Sequence, residues 1–127
     1  ESYGTTRSAA VANELEGAYN DVALNGIILI STILDFGAQA EVEGNDMPYI
    51  ISLPSYAAVA WYHNKVPNRP ATVAEFVNEA RAFAIGPYAS ALMKGQALAG
   101  PERDQVRTQL ARYSGLSEAF LERTDLR

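Results

Sequence analysis

The sequence predicts a mainly α-helical chain that begins with a small α/β part. A serine turn leads directly into a helix that we expect to run from Thr5 to about Tyr19. An apolar, β-branched run follows at residues 24–34 and is typical of a buried strand in a parallel sheet. After about residue 45 the apolar positions recur at helical spacing to the end of the sequence. We therefore expect a partial α/β core over residues 1–45 and an all-helical region over residues 46–127.

The composition of the 127 residues limits the partners and the chemistry that we expect. Fifteen acidic residues outnumber ten basic ones, and the basic residues are not clustered, so we expect no nucleic-acid partner. The absence of cysteine and the single histidine exclude thiolate or multi-histidine metal sites, and no glycine-rich phosphate motif occurs. We predict no metal and no cofactor. We also expect no membrane partner, because the longest apolar run is far shorter than the ~20 residues needed to cross a bilayer.

The pattern with the clearest functional meaning is Glu1-Ser2-Tyr3-Gly4. Its Ser-x-Gly spacing matches the second half of the Gly-x-Ser-x-Gly turn, where a strand ends, a helix begins and a nucleophilic serine points outward. The helix and the apolar run at 24–34 would then complete a βαβ unit whose first strand precedes Glu1. We therefore expect the chain to be a piece of a larger enzyme.

Helical start and stop signals fill the region after residue 45. Helix starts are expected at Ser52 or Ser55, at the Thr72/Glu75 capping box, at Gly100 and at Ser117. The Gly86-Pro87 pair should break or kink the helix that begins at Thr72. Residues expected to face the core are Val73, Phe76, Val77, Ala80, Phe83, Ala84, Val106, Leu110, Tyr113, Phe120 and Leu121.

Ser2 is the candidate nucleophile, and two interpretations of it stay open at this point. A serine hydroxyl attacks a carbonyl group only with a general base beside it and with hydrogen-bond donors for the oxyanion. The turn supplies one such donor, the backbone N–H of Tyr3. In the alternative interpretation, Ser2 only caps the first helix.

The only histidine, His63, is not expected to be the general base. In α/β-hydrolases the order is serine, acid, histidine, and His63 lies in the helical region before any such acid. We interpret it as a structural or surface residue, so the chain should not contain a complete triad. The acidic residues Asp35, Glu41, Glu43 and Asp46 are interpreted as a solvated loop. The aromatic residues Tyr49, Tyr56, Trp61 and Tyr62 are interpreted as core packing rather than as a substrate cleft.

Over essentially its whole length the sequence resembles the serine carboxypeptidases of peptidase family S10, especially their cysteine-poor bacterial members. The Glu-Ser-Tyr element is specific, because most other α/β-hydrolases carry a different residue before the serine. The resemblance implies an α/β-hydrolase fold in which this chain forms the elbow helix, one core strand and a helical cap insertion. The matching stretches are residues 1–7, 24–31, 45–49, 53–58 and 60–63.

The resemblance also implies roles for three residues. Ser2 would form the acyl-enzyme, Tyr3 would donate its backbone N–H to the oxyanion hole, and Glu1 would bind the C-terminal carboxylate of a peptide. Two carboxylates repel unless they share a proton, so peptide should bind best at acidic pH. The family's aspartate, histidine and carboxylate-binding asparagine have no counterpart here. The chain alone is therefore expected to be inactive.

The expected partners are the C-terminus of a peptide substrate and the remainder of the hydrolase domain. The apolar run at 24–34 needs cover, from that remainder, from a second copy of the chain, or by refolding into the helical region. The resemblance favours an extracytoplasmic location, periplasmic or secreted. Two other functions stay open: an acyltransferase or lyase on the same scaffold, and a non-catalytic helical interaction module.

Overall fold

Helices make up most of the chain in this computed structural model, which describes residues 1–17 and 22–127. The prediction of a mainly helical chain is confirmed, while its origin in an α/β-hydrolase stays a prediction. Two compact units are present, Glu1–Gln39 and Ala40–Arg127. None of the described helices is both long enough and apolar enough to cross a membrane.

The first unit contains helix α1, Tyr3–Leu15, and a short 3-10 helix, Gly37–Gln39. Small residues dominate α1, and Thr5 is the residue that it buries. The expected end of this helix near Tyr19 lies outside the described residues. The burial of a polar residue, rather than of an apolar stripe, shows that α1 is held by hydrogen bonds at its first turn.

The expected strand at 24–34 is wrong for this structure. Residues 22–36 have no regular secondary structure, and the backbone bends at Ser31, whose φ of 52° lies in the left-handed region. A strand forms only where a neighbouring strand takes up its backbone N–H and C=O groups. No segment within the described residues supplies that neighbour. Apolar side chains of this segment therefore stay in solvent, with Ile28 92% and Leu34 93% exposed.

The second unit is a bundle of helices around one apolar core. Its helices are α2 (Met47–Tyr62), α3 (Val73–Phe83), α4 (Ala89–Lys94), α5 (Gly100–Ser114) and α6 (Glu118–Arg123). Helix α2 packs against α3 and α5, and α5 packs against α6. Phe76 is fully buried, and its ring centre lies 5.4 Å from that of Tyr113, which in turn lies 5.2 Å from Phe83. These three rings form the aromatic part of the core.

Helix α2 begins earlier than the sequence predicts, so the expected cap at Ser52 or Ser55 is wrong. Asp46 precedes its first residue, and a proline occupies the first turn, where a missing N–H breaks no helical hydrogen bond. Pro54 lies inside the helix, where proline removes a hydrogen bond. Leu53 and Ala57 are 2% and 0% exposed. Their burial on both sides of Pro54 explains why the helix continues through it.

Helix α3 begins at the capping box that the sequence predicts, and this prediction is confirmed. The Thr72 hydroxyl accepts the N–H of Glu75 at 3.3 Å, and the Glu75 carboxylate accepts the N–H of Thr72 at 3.3 Å. Most of the apolar positions expected on this helix are buried. Val77 is half-buried, and Val73 is 39% exposed because it lies in the first turn at the edge of the core.

The sequence predicts a break or a kink at Gly86-Pro87, and the α-helical geometry of α3 does end just before this pair, at Phe83. A π turn, Ala84–Tyr88, carries the chain directly from α3 into α4. Proline has no N–H for the helical ladder and its ring crowds the carbonyl of the preceding turn, and the wider π turn accommodates both effects. Ala84 and Tyr88 are 1% and 2% exposed. Core packing on both ends of the turn therefore holds it in place.

Helix α5 faces the core with Val106, Leu110 and Tyr113, as its spacing predicts. In α6 the core position is Leu121, at 3% exposed. Phe120 is 41% exposed, so its expected core position is wrong. Successive residues of a helix point about 100° apart, and so short a helix at the core edge cannot bury both.

The last residues of the chain are fastened to the helices of the second unit. Arg127 makes two hydrogen bonds to the Asp46 carboxylate, at 2.7 and 3.1 Å. The Tyr88 hydroxyl donates to the Leu126 carbonyl at 2.5 Å. The hydrogen bonds from Asp46 raise the pKa of Arg127, and burial raises the pKa of Tyr88. These contacts join residues 126–127 to the start of α2 and to the π turn.

Candidate functional site

Ser2 lies on a strained turn at the start of α1. Its backbone has φ 54° and ψ −133°, a sparsely populated conformation for a residue with a Cβ atom and one that costs about 1–3 kcal/mol. The residue is exposed. Its hydroxyl makes no capping hydrogen bond to the helix. Ser2 therefore stands at the N-cap position without using its side chain as a cap, and the hydroxyl is available to solvent.

The Tyr3 N–H has no acceptor among residues 1–17 and 22–127. The next two amides do have acceptors, since the Gly4 N–H bonds the Glu1 carbonyl at 3.0 Å and the Thr5 N–H bonds the Ser2 carbonyl at 2.9 Å. The first N–H groups of a helix have no intrahelical partner, and they attract negative charge. The Tyr3 amide thus has the chemistry of an oxyanion donor.

Glu1 is exposed beside Ser2, and its carboxylate forms no ion pair within the part of the chain that the structure describes. The Tyr3 side chain is 63% exposed, and its ring centre lies 6.2 Å from that of Phe36. An unpaired carboxylate, an exposed hydroxyl and an unoccupied amide donor therefore follow one another along three residues.

Two threonines of α1 connect this turn to the segment that had been expected to be a strand. The Ser2 N–H donates to the Ile30 carbonyl at 3.2 Å. The Thr5 hydroxyl accepts the Ile33 N–H at 3.2 Å, and the Thr6 hydroxyl donates to the Ile33 carbonyl at 3.0 Å. Sequence reasoning uses Thr5 only as the expected first residue of the helix and misses both contacts. The signal it overlooks is the pair of adjacent hydroxyls directly after the Ser-x-Gly turn.

His63 lies in the second unit, at the C-terminal end of α2. It is exposed, and its ring stacks edge-on against Tyr62 with centres 5.1 Å apart. Of the aromatic set, Tyr49 and Trp61 pack partly buried against the core. Tyr56 and Tyr62 are 57% and 74% exposed, so the expectation of core packing is wrong for these two.

The acidic residues divide between solvent and structural contacts. Glu41 and Glu43 are exposed, and the Asp35 carboxylate accepts the Gly37 N–H at 2.7 Å in a local turn. Asp46 instead binds Arg127, so a solvated loop does not describe it. Within residues 1–17 and 22–127, no group of three or more histidine or acidic side chains is placed to hold a metal ion.

Comparison of the chain with protein-family models, with curated proteins and with solved structures gives no match. The functional argument therefore depends on the geometry of residues 1–6 and on the sequence pattern at the same positions.

Proposed function

We propose that this chain supplies the nucleophile and the helical cap of a serine-type carboxypeptidase, an enzyme that removes C-terminal residues from peptides. The observation that carries the proposal is that the Ser2 hydroxyl makes no capping hydrogen bond, on a backbone that is strained. A serine that merely capped a helix would accept an N–H of the first turn, and Ser2 does not. Its strained backbone is of the kind that persists where function requires it.

In the proposed reaction, the Ser2 hydroxyl attacks the carbonyl carbon of the last peptide bond. A histidine from the remainder of the enzyme takes the hydroxyl proton and passes it to the departing amino group, and an aspartate orients that histidine. The Tyr3 N–H bonds the oxyanion that forms on the attacked carbonyl. Water then releases the peptide from Ser2. The 127 residues alone lack this base, so we expect no turnover from them.

The proposed role of Glu1 is to bind the substrate's terminal carboxylate through a shared proton. The position supports it, since the carboxylate is unpaired among the described residues and lies next to the nucleophile. Substrates with a C-terminal amide should therefore not be cleaved. The family resemblance adds an extracytoplasmic location to the proposal.

The direct test is labelling of the full-length enzyme with a fluorophosphonate, with the adduct located by mass spectrometry. We expect the adduct on Ser2 and its loss in Ser2→Ala. Ser8→Ala, which changes an exposed serine of the same helix, is the matched control and should keep the adduct. An unlabelled Ser2 in the folded, full-length protein would instead favour a non-catalytic helical module.

The substrate class needs a separate assay, because an acyltransferase or a lyase on the same scaffold would also be labelled. Blocked dipeptides, their C-terminal amides and acyl esters should be compared as substrates. Hydrolysis of the free-acid dipeptides alone is the expected result. In Glu1→Gln, affinity for these peptides should fade less as the pH rises, whereas Glu16→Gln at the far end of α1 should behave as wild type. An unchanged pH dependence in Glu1→Gln would remove Glu1 from the proposal.

A further inference from the structure

We propose that Thr5 is a positioning residue for the oxyanion donor, and this inference rests on the proposed function of Ser2. The hydroxyl of Thr5 donates to the Ser2 carbonyl at 2.6 Å. The backbone N–H of Thr5 donates to the same carbonyl at 2.9 Å. One residue thus holds this carbonyl oxygen through two hydrogen bonds.

The carbonyl of Ser2 and the N–H of Tyr3 belong to one peptide group, and this explains how Thr5 acts. The peptide group is planar and trans, so its C=O and N–H point in opposite directions. Fixing the oxygen from the helix side therefore fixes the direction of the N–H on the outer side. A hydrogen bond accepted by the oxygen also polarises the group and strengthens its N–H as a donor.

The Thr5 hydroxyl is itself firmly placed. The side chain is 1% exposed, and its oxygen also accepts the Ile33 N–H at 3.2 Å. The hydroxyl therefore has both its donor and one acceptor position in use, which fixes its rotation. Thr5 is the residue that α1 buries. Its role in orienting the Ser2–Tyr3 peptide group explains why a polar residue is buried there.

Thr6 offers a matched control on the same turn. Its hydroxyl bonds the Ile33 carbonyl at 3.0 Å, so it attaches α1 to the same residue as Thr5 does. Within the described residues, the Thr6 hydroxyl makes no hydrogen bond to the Ser2–Tyr3 peptide group. Loss of either threonine hydroxyl should loosen this attachment, but only loss of the Thr5 hydroxyl should release the oxyanion donor.

The first experiment compares Thr5→Val, Thr5→Ser and Thr6→Val in the full-length enzyme, with a blocked dipeptide as substrate. Outright removal of an oxyanion donor lowers kcat by about 10²–10³-fold, so misorienting one should lower kcat by at least about tenfold, with KM little changed. Thr5→Ser should restore kcat, and Thr6→Val should stay near wild type. Equal losses in Thr5→Val and Thr6→Val, or no rescue by serine, would overturn the inference. If Thr5→Val does not fold, Thr5→Ala replaces it.

A second measurement separates this inference from the proposed function. The amide resonance of Tyr3 is followed by NMR in the same variants. Loss of the hydrogen bond to the Ser2 carbonyl should shift the Tyr3 amide proton upfield in Thr5→Val and not in Thr5→Ser or Thr6→Val. An unlabelled Ser2 in wild type would end the carboxypeptidase proposal while leaving this result interpretable. An unchanged Tyr3 resonance in Thr5→Val would refute the role of Thr5 whether or not Ser2 is labelled.

Discussion

Replacing Tyr88 with phenylalanine should measure how strongly the end of the chain is held. The substitution keeps the ring, which stacks on Phe83 with centres 5.8 Å apart, and removes only the hydroxyl. The Leu126 carbonyl then loses the donor that it has in the structure, and Leu126 is 1% exposed. Leaving a buried carbonyl without its partner costs about 1–3 kcal/mol, which is the expected loss in the free energy of unfolding.

Urea denaturation at neutral pH is the assay, and Tyr113→Phe is the control. Tyr113 is 6% exposed, yet its hydroxyl bonds no residue in the described part of the chain, so its loss should change the midpoint little. Equal midpoints for the two variants would refute the reasoning about Leu126.

The same substitution has an expected signature at alkaline pH. Burial raises the pKa of Tyr88, so the folded protein holds the phenolic proton more tightly than the unfolded chain does. The stabilisation is therefore fully present below about pH 10, the ordinary value for tyrosine, and is lost as the pH rises above it. Tyr88→Phe should lose less stability than wild type between neutral pH and about pH 11. An identical alkaline loss in both proteins would contradict the assignment.

Three further perturbations test local features of the second unit. Thr72→Ala removes one half of the capping box and should lower the free energy of unfolding by about 1 kcal/mol, whereas Thr72→Ser should not. Equal melting temperatures for the two variants would count against the cap. Gly115→Ala should destabilise by more than about 1 kcal/mol, because φ is 72° and the new Cβ would lie 3.0 Å from the nearest side-chain carbon. Gly86→Ala, in open space, should be neutral or stabilising, and a loss there would contradict this account. Hydrogen bonds from an arginine of α5 lower the pKa values of Glu118 and Glu122. The stabilisation by these two carboxylates is present above about pH 4 and is lost as the pH falls through their lowered pKa values. In thermal melts, the melting temperature of the variant with both Glu118→Gln and Glu122→Gln should therefore fall less steeply on acidification than that of wild type. An equally steep fall would exclude the pairing.

Features that depend on a few neighbouring residues could be predicted from the sequence. The capping box needs only Thr72 and Glu75, three positions apart, and the inward face of α5 needs only a helical repeat of apolar residues. Both are local, and both are confirmed. The effect of a proline depends on its context. A proline in the first turn of α2 favours that helix, whereas the proline at position 87 lies in a π turn that interrupts the α-helix.

The candidate site could be located from the sequence, but its internal support could not. Ser2 and Tyr3 belong to a short motif whose spacing implies a turn before a helix. The Thr5 hydroxyl accepts a hydrogen bond from Ile33, which lies 28 positions further along the chain, and no local sequence pattern predicts that bond. The strand at 24–34 failed for a related reason, since strand formation depends on a neighbour that the segment's own sequence does not specify.

The hydrogen bonds of the extended segment limit where a neighbouring strand can pair with it. The N–H and C=O of Ile33 are occupied by the hydroxyls of Thr5 and Thr6, and the carbonyl of Ile30 is occupied by the Ser2 N–H. The backbone groups of residues 22–29 make no such bonds within the described chain. A partner strand could therefore pair along residues 22–29 without disturbing the turn at Ser2. In parallel sheets the carboxyl end of a strand lies at the edge where ligands bind. The proposed hydrolase core would then require residues 30–33 to stay attached to α1, because the Ile33 N–H helps to fix the Thr5 hydroxyl that holds the Ser2 carbonyl.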